Sequence, residues 1–307
     1  QAGGAAALAE VIGEEGGDMA GYALSDAGDV DNDGLGDILI GSHQNDETGS
    51  GSGKAYLFLG KSLTDTHTLD LYESNYSFTG EGSDNRAGCS VSSAGDVDGD
   101  GLDDILIGAR DADGGGGESG RAYLFLGASL GDTEALSLAD ADYVFLGVGY
   151  DDSAGHVVAN AGDVDNDGRD DILISAPYSD IGGSNAGVTY IILGSSLGEE
   201  TTISLDNADY MLVGENSGDQ SGTSAASAGD MDGDGLDDII IGADANSDYL
   251  MAAGKVYVVF GSRLTDSTII NLMDADFAFV GEASSNSAGD SVASAGDVDG
   301  DGLSDLI

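Results

Sequence analysis

Tryptophan is absent from this 307-residue chain, proline and cysteine occur once each, and only 8 lysines and arginines stand against 58 aspartates and glutamates. The single cysteine, Cys89, excludes any intrachain disulfide framework. A formal charge of −50 excludes an ordinary nucleic-acid binder, whose affinity comes from basic groups neutralising phosphates, and it opposes docking on anionic lipid headgroups. No run approaches the roughly 18 to 20 apolar residues of a membrane helix, so membrane insertion is not expected. The start at Gln1 shows neither an initiator Met nor a charged-then-apolar leader, so the chain is expected to be a soluble processed product or a fragment. Aromatics make up 6 % and hydrophobic residues 40 %, enough for a core built mainly from small and medium side chains. Low hydrophobicity with so large a charge would normally leave a chain disordered, unless the carboxylates have a counter-ion.

What is present is a repeat. The segment AGDVDNDG starting at Ala27 returns from Ala94, Ala161, Ala228 and Ala295 with only conservative changes. The first aspartate of the motif falls at 29, 96, 163, 230 and 297, every step being 67 residues. Val11, Phe78, Phe145, Leu212 and Phe279 keep the same register, as do GKAYLFLG, GRAYLFLG, GVTYIILG and GKVYVVFG. The chain therefore reads as one array: repeat 1 over 11–77, repeat 2 over 78–144, repeat 3 over 145–211, repeat 4 over 212–278, and a partial repeat 5 over 279–307. The opening segment QAGGAAALAE aligns poorly with its counterpart one period later, so the first strand is expected to be degenerate.

Within a period the strand signals are short and bounded by Gly, Ser and Asp clusters. Strands are predicted over 76–79, 90–94, 104–107 and 122–126. The last two are continuous apolar runs, which requires burial on both sheet faces. Four short antiparallel strands with both faces covered by neighbouring sheets describe a propeller blade. The fold class is therefore all-β, a β-propeller of four-stranded antiparallel blades with an incomplete last blade. The small residues of the 90–94 strand suit the crowded edge near the axis. No segment sustains the 3.6-residue period of a helical solenoid. A flat or rolled β-array stays open, since periodicity alone does not close a ring.

Each repeat carries D-x-D-x-D-G-x-x-D. Position 1 is Asp29, Asp96, Asp163, Asp230 and Asp297; position 3 is Asp31, Asp98, Asp165, Asp232 and Asp299; position 5 is Asp33, Asp100, Asp167, Asp234 and Asp301. Position 9 is Asp37, Asp104, Asp171, Asp238 and Asp305. Four carboxylates within nine residues repel one another without a cation, and a hard divalent ion prefers such oxygen donors. Ca²⁺ tolerates flexible coordination by about six to eight oxygens, whereas Mg²⁺ demands a strict octahedron and keeps its waters. The Gly at position 6 permits the sharp turn, and the carbonyl of position 7 (Leu35, Leu102, Arg169, Leu236, Leu303) can add a ligand. An EF-hand is excluded because position 12 is Ile40, Ile107, Ile174 or Ile241, inside an apolar strand, where an EF-hand needs Glu before a helix. Ordinary solvated Asp-Gly turns would account for one such loop but not for five identical ones. About one Ca²⁺ per repeat, up to five, is expected.

Phe78-Thr79-Gly80, the loop from Asp96 to Asp104, and Gly108-Ala109, with Ser175-Ala176-Pro177 in the third repeat, resemble the FG-GAP repeat of the integrin α-subunit propeller and its bacterial and archaeal relatives. The resemblance covers nearly all of 11–307. It implies Ca²⁺ held between the first and second strands of each blade, on one face of a ring that usually has seven blades; five loops are present here. It also implies ligation by the aspartates named above.

No catalytic constellation emerges. His43, His67 and His156 have Arg110, Glu134 and Thr223 among their counterparts and read as scattered surface histidines. Cys89 sits at a variable repeat position and reads as a lone structural or surface thiol. No Cys–His or nucleophile-elbow arrangement is evident, since the G-x-S-x-G letters at 127–131 and 194–198 come with no catalytic partners, and no phosphate-cradling G-x-x-x-x-G-K-[ST] occurs. Asn75-Tyr76-Ser77 is an N-glycosylation sequon, and the Ser/Thr-rich loops offer O-glycan acceptors. The expected function is a non-enzymatic, extracellular or cell-surface calcium-binding propeller for adhesion or protein interaction. It would contact a protein or glycan partner through the variable loops 43–52, 111–119 and 244–253. The alternative is self-association: a subunit of an extracellular filament, sheath or matrix joined through open end blades. A role as an enzyme or a carbohydrate-binding accessory ranks below both, for want of a tryptophan platform or a catalytic constellation.

Overall fold

The computed structural model describes residues 10–63, 68–114, 117–131, 134–265 and 267–307. His67, most of the degenerate opening segment (1–9) and residues 115–116 of the 111–119 loop lie outside them. Among the described residues all regular structure is β-strand or short 3-10 turn.

Four successive sheets follow one plan. In the first, Ala23–Gly28, Asp37–Ser42, Lys54–Phe58 and Tyr76–Thr79 pair antiparallel in that order. The second repeats it with Ala87–Gly95, Asp104–Ala109, Arg121–Phe125 and Tyr143–Leu146. The third uses Val158–Gly162, Asp171–Ala176, Val188–Ile192 and Tyr210–Val213, and the fourth Ser224–Gly229, Asp238–Ala243, Lys255–Val259 and Phe277–Val280. Ser294–Gly296 and Asp305–Leu306 begin a fifth. The first strands of consecutive sheets pack against one another, so the sheets fan out from a shared inner edge. Small residues at that edge, such as Ser92, Ser93 and Ala94, let the backbones approach. The architecture is all-β and propeller-type.

The second and third strands are apolar on both sides because both sides are covered. In the second sheet Ile105 and Ile107 face the first, packing with Leu39, Leu57 and Phe78. Leu106 and Leu124 face the third, packing with Ile172, Ile174 and Tyr190. Leu173 and Ile191 continue the alternation toward Ile239, Ile241 and Tyr257. The blade core is thus shared between neighbours, and no sheet buries its faces alone.

One element lies outside the four-strand expectation. The connector after each third strand sends a three-residue strand back to the preceding sheet, where it pairs parallel with the outer strand. Ala135–Ser137 joins Tyr76–Thr79, Thr202–Ser204 joins Tyr143–Leu146, and Ile269–Asn271 joins Tyr210–Val213. This added strand covers an edge that would otherwise present unpaired amides. The outer strand Tyr76–Thr79, where the sequence period was divided, belongs with Lys54–Phe58 of the preceding repeat.

Candidate metal centre

Each acidic loop joins the first strand of a sheet to its second. A β-bulge just before the loop (at Gly28, Gly95, Gly162, Gly229 and Gly296) turns the chain off the ladder. Position 4 is always Asn or Gly and position 6 always Gly. The loop needs left-handed backbone at both, with φ of 53° at Asn32 and 58° at Asn166, and 85° to 93° at the position-6 glycines. That conformation curls the loop around its own first side chain. The Asp29 carboxylate accepts from the Asp33 and Gly34 amides, both at 2.9 Å, and Asp96, Asp163, Asp230 and Asp297 do the same in their loops.

The curl brings three carboxylates per loop together, each offering an oxygen within 4.8 Å of the others. In the first and fourth loops these are positions 1, 3 and 5: Asp29, Asp31, Asp33 and Asp230, Asp232, Asp234. In the second, third and fifth they are positions 1, 3 and 9: Asp96, Asp98, Asp104; Asp163, Asp165, Asp171; and Asp297, Asp299, Asp305. Position 5 also turns its carboxylate onto the position-7 amide, as Asp100 does to Leu102 at 2.9 Å. The amides of Leu35, Arg169, Leu236 and Leu303 are held the same way.

Position 9 is a brace, and in the second, third and fifth loops a member of the cluster as well. Asp104 is buried; one oxygen accepts from Val97 at 3.0 Å and the other from Gly127 at 2.8 Å, beyond the end of the third strand. Asp37, Asp171 and Asp238 repeat both bonds. Burial pushes Asp104 and Asp171 up to about 7 and Asp238 up to about 6, and neighbouring loop carboxylates add to the shift. Asp98 and Asp165 are raised by burial and then by their neighbours' charge.

The residues fit a hard cation. In the first loop Asp31 Oδ1 is buried with no hydrogen-bond partner, while Lys61 pairs with its other oxygen. A buried carboxylate oxygen without a donor is costly, and a metal ion would supply the missing partner. Bound there, a divalent cation would neutralise the crowding of each trio, held by positions 1 and 3 with position 5 or 9.

Other sequence-singled residues resolve differently. His43 is buried, its ring tilted against that of Tyr22 with centroids 4.1 Å apart, and burial lowers it to about 4. It is therefore a core residue and not a surface one. His156 is half-buried and is also lowered by burial to about 4. Cys89 is buried with its thiol 3.5 Å from the Gly108 carbonyl, and burial raises its pKa. Asn75 of the sequon accepts from the Leu59 amide at 2.9 Å, a job done one period later by Asp142 and then by Asp209 and Asp276. The 67-residue recurrence of an Asn or Asp there was the signal for that brace.

At the opposite end of the strands, a Glu–Lys–Tyr cluster recurs. Lys255 pairs with Glu215 and with Asp248 at 3.0 Å, and Tyr257 donates to Glu215 at 2.9 Å. Glu81 meets Arg121 and Tyr123 at 2.9 and 2.6 Å, and Glu14 meets Lys54 at 2.8 Å. In the third repeat the Glu and Lys positions are valine, Val148 and Val188, and the Asp248 position is Ile181.

Comparison with known proteins agrees with this layout. Three stretches, residues 90–125, 154–192 and 221–259, match the FG-GAP repeat. The chain is 32 % identical over 202 residues to integrin alpha-5 of Xenopus laevis, covering 62 % of this chain and 18 % of that protein. It is 30 % identical over 275 residues to integrin alpha pat-2 of Caenorhabditis elegans, covering 84 % of this chain and 20 % of that protein. It is also 35 % identical over 192 residues to a phosphatidylinositol-glycan-specific phospholipase D of Rattus norvegicus, covering 60 % and 21 %. The chain thus spans about a fifth of the length of these curated relatives.

Proposed function

This chain belongs to the FG-GAP, integrin-like propeller family, and from that premise we propose that it is a non-enzymatic interaction module of the cell surface or extracellular space, stabilised by up to five Ca²⁺. The observation that carries the reading is the fivefold recurrence of three converging carboxylates on one strand-to-strand loop. Five bound Ca²⁺ would move the formal charge from −50 to −40. Free Ca²⁺ near 10⁻⁴–10⁻³ M, the range in which extracellular modules bind, would load such sites.

The partner surface lies at the other end of the sheets. The cation loops leave the first strand, so the loops between second and third strands, 43–52, 111–119 and 244–253, emerge at the opposite end by the antiparallel pairing. That end carries exposed Tyr150, Tyr249 and Met251, residue types that favour protein interfaces. Among the described residues no helix is long and apolar enough to cross a membrane. The test is adhesion of cells and their surface proteins to the immobilised chain, in calcium and in chelator, beside a Tyr150→Ala/Tyr249→Ala variant. Binding lost in chelator and reduced in the variant supports the reading; binding indifferent to both overturns it.

Self-association is a second reading with its own observation. Phe279 is 54 % exposed where its counterparts Phe78 and Phe145 are fully buried, and Leu24 is 62 % exposed where Val91 is 6 %. These apolar faces match the ones that neighbouring sheets bury against each other. Concentration-dependent mass in light scattering, with head-to-tail polymers in electron micrographs, would support it. A strictly monomeric chain at all concentrations would end it.

A further inference from the structure

The residue at loop position 8 contributes nothing to its own carboxylate cluster. In the second loop this is Asp103, half-buried, and its carboxylate reaches back to the preceding sheet, accepting from the Asp29 amide at 2.6 Å. The Asp103 amide in turn donates to the Asp29 carbonyl at 3.4 Å. The contact spans 74 residues and recurs with the repeat: Asp170 accepts from Asp96 and Asp237 from Asp163, both at 2.9 Å. Asp170 and Asp237 also donate their amides to the carbonyls of Asp96 and Asp163, both at 3.2 Å. In each case the residue held is the position-1 ligand of the preceding loop, gripped at its backbone N–H and C=O.

A second observation shows that the backbone makes room for this grip. The bulge glycine just before each held ligand lies under the incoming carboxylate. A Cβ at Gly28 would sit 2.2 Å from Asp103 Oδ2, one at Gly95 2.1 Å from Asp170 Oδ2, and one at Gly162 2.1 Å from Asp237 Oδ2. Glycine is required there for close approach, beyond its φ of 73° to 77°.

We propose that Asp103, Asp170 and Asp237 are positioning residues for the cation site of the preceding repeat, so that sites one, two and three are each set by a residue that lies inside the next loop. This rests on the calcium reading above. The carboxylate is an outer-sphere acceptor that fixes the main chain of ligand position 1 and adds a negative charge behind it. Loading one site therefore tightens the seam to the following sheet, linking the sites in series around the inner edge. Outer partners of this kind change metal affinity by about 10- to 100-fold.

The test is a calcium titration of the full chain read by peptide-resolved hydrogen exchange, with wild type, Asp103→Ala and Asp103→Asn compared. Asn keeps the acceptor oxygen and removes the charge. Expected is a first loop (29–37) whose protection in Asp103→Ala needs about tenfold more Ca²⁺, while the second loop (96–104), which contains the substitution, shifts by less than about twofold. Asp103→Asn restores most of the first-loop affinity, and in chelator the Asp29 amide exchanges faster in the Ala variant than in the Asn variant. A shift confined to the second loop, an Asn variant as weak as Ala, or no shift in either loop overturns the positioning role. Wild-type loops that gain no protection from calcium overturn the calcium reading itself, an outcome visible before any variant is compared.

Discussion

The third repeat replaces the charged cluster of the fourth by apolar side chains, with Val148, Val188 and Ile181 at the positions of Glu215, Lys255 and Asp248, and it predicts how the Glu–Lys pair behaves. Lys255 and Glu215 are mostly buried, with side-chain exposures of 12 % and 18 %, and the ammonium sits 5.0 Å from the Tyr257 ring centre. Burial alone would lower the lysine, but Glu215 and Asp248 outweigh it and raise its pKa. Lys255→Val leaves Glu215 buried with the Tyr257 hydroxyl but without its cation. Breaking a buried pair from one side costs about 3–5 kcal/mol, and partial exposure brings this nearer 2 kcal/mol. Adding Glu215→Val recreates the Val148/Val188 pair, which packs in the third sheet with Tyr190 Oη left without a partner. The double variant is therefore expected within about 1 kcal/mol of wild type, since a well-packed apolar pair replaces an ion pair at little net cost. Urea unfolding in saturating calcium, arranged as a double-mutant cycle, gives the coupling directly. A neutral Lys255→Val, or a double variant as unstable as the single, would refute the reasoning.

Three further outcomes are expected. In chelator, Asp104 and Asp171 titrate in the fold near 7, above the unfolded value near 4, so the folded chain holds more protons between those limits and metal-free stability falls as pH rises from about 4 to 7. Saturating calcium, which needs the ionised carboxylates, opposes that slope, and equal Tm–pH slopes with and without calcium would contradict the account. Phe145→Ala opens a cavity in the core between the second and third sheets and is expected to cost about 3–5 kcal/mol, whereas Phe279→Ala costs under about 1 kcal/mol; comparable losses in chemical denaturation would contradict the burial assigned to them.

The repeat, the turn of the acidic loop and the two-sided strands were legible because each leaves a signal within one period. Asp29 to Asp37 spells out its own turn, with Asn or Gly where φ is positive. Ile105-Leu106-Ile107 announces burial on both faces by its lack of alternation. The parallel strand Ala135–Ser137 was not legible, because three residues carry no period and their partner, Tyr76–Thr79, lies about 58 residues earlier. The grip of Asp103 on Asp29 was hidden for a similar reason: position 8 varies (Gly36, Asp103, Asp170, Asp237, Ser304), and the adjacent position-9 aspartate draws the attention. His43 looked like a surface residue because its period-mate is Arg110, yet its ring is buried, tilted against that of Tyr22. What escaped the sequence is contact between repeats, since a linear motif records only what happens within one.

The central claim is that the aspartate loops hold calcium and that calcium holds the array. At tenfold saturation one site adds about 1.4 kcal/mol by mass action, so five sites add about 7 kcal/mol before any coupling between neighbours, comparable with the whole stability of a domain. The decisive measurement is metal content of the purified chain together with its thermal unfolding before chelation, after chelation and after calcium is restored. The account predicts about five Ca²⁺ per chain, one for each carboxylate cluster, and a large stabilisation that disappears with chelator and returns with calcium. No bound calcium and an unchanged melt would contradict it.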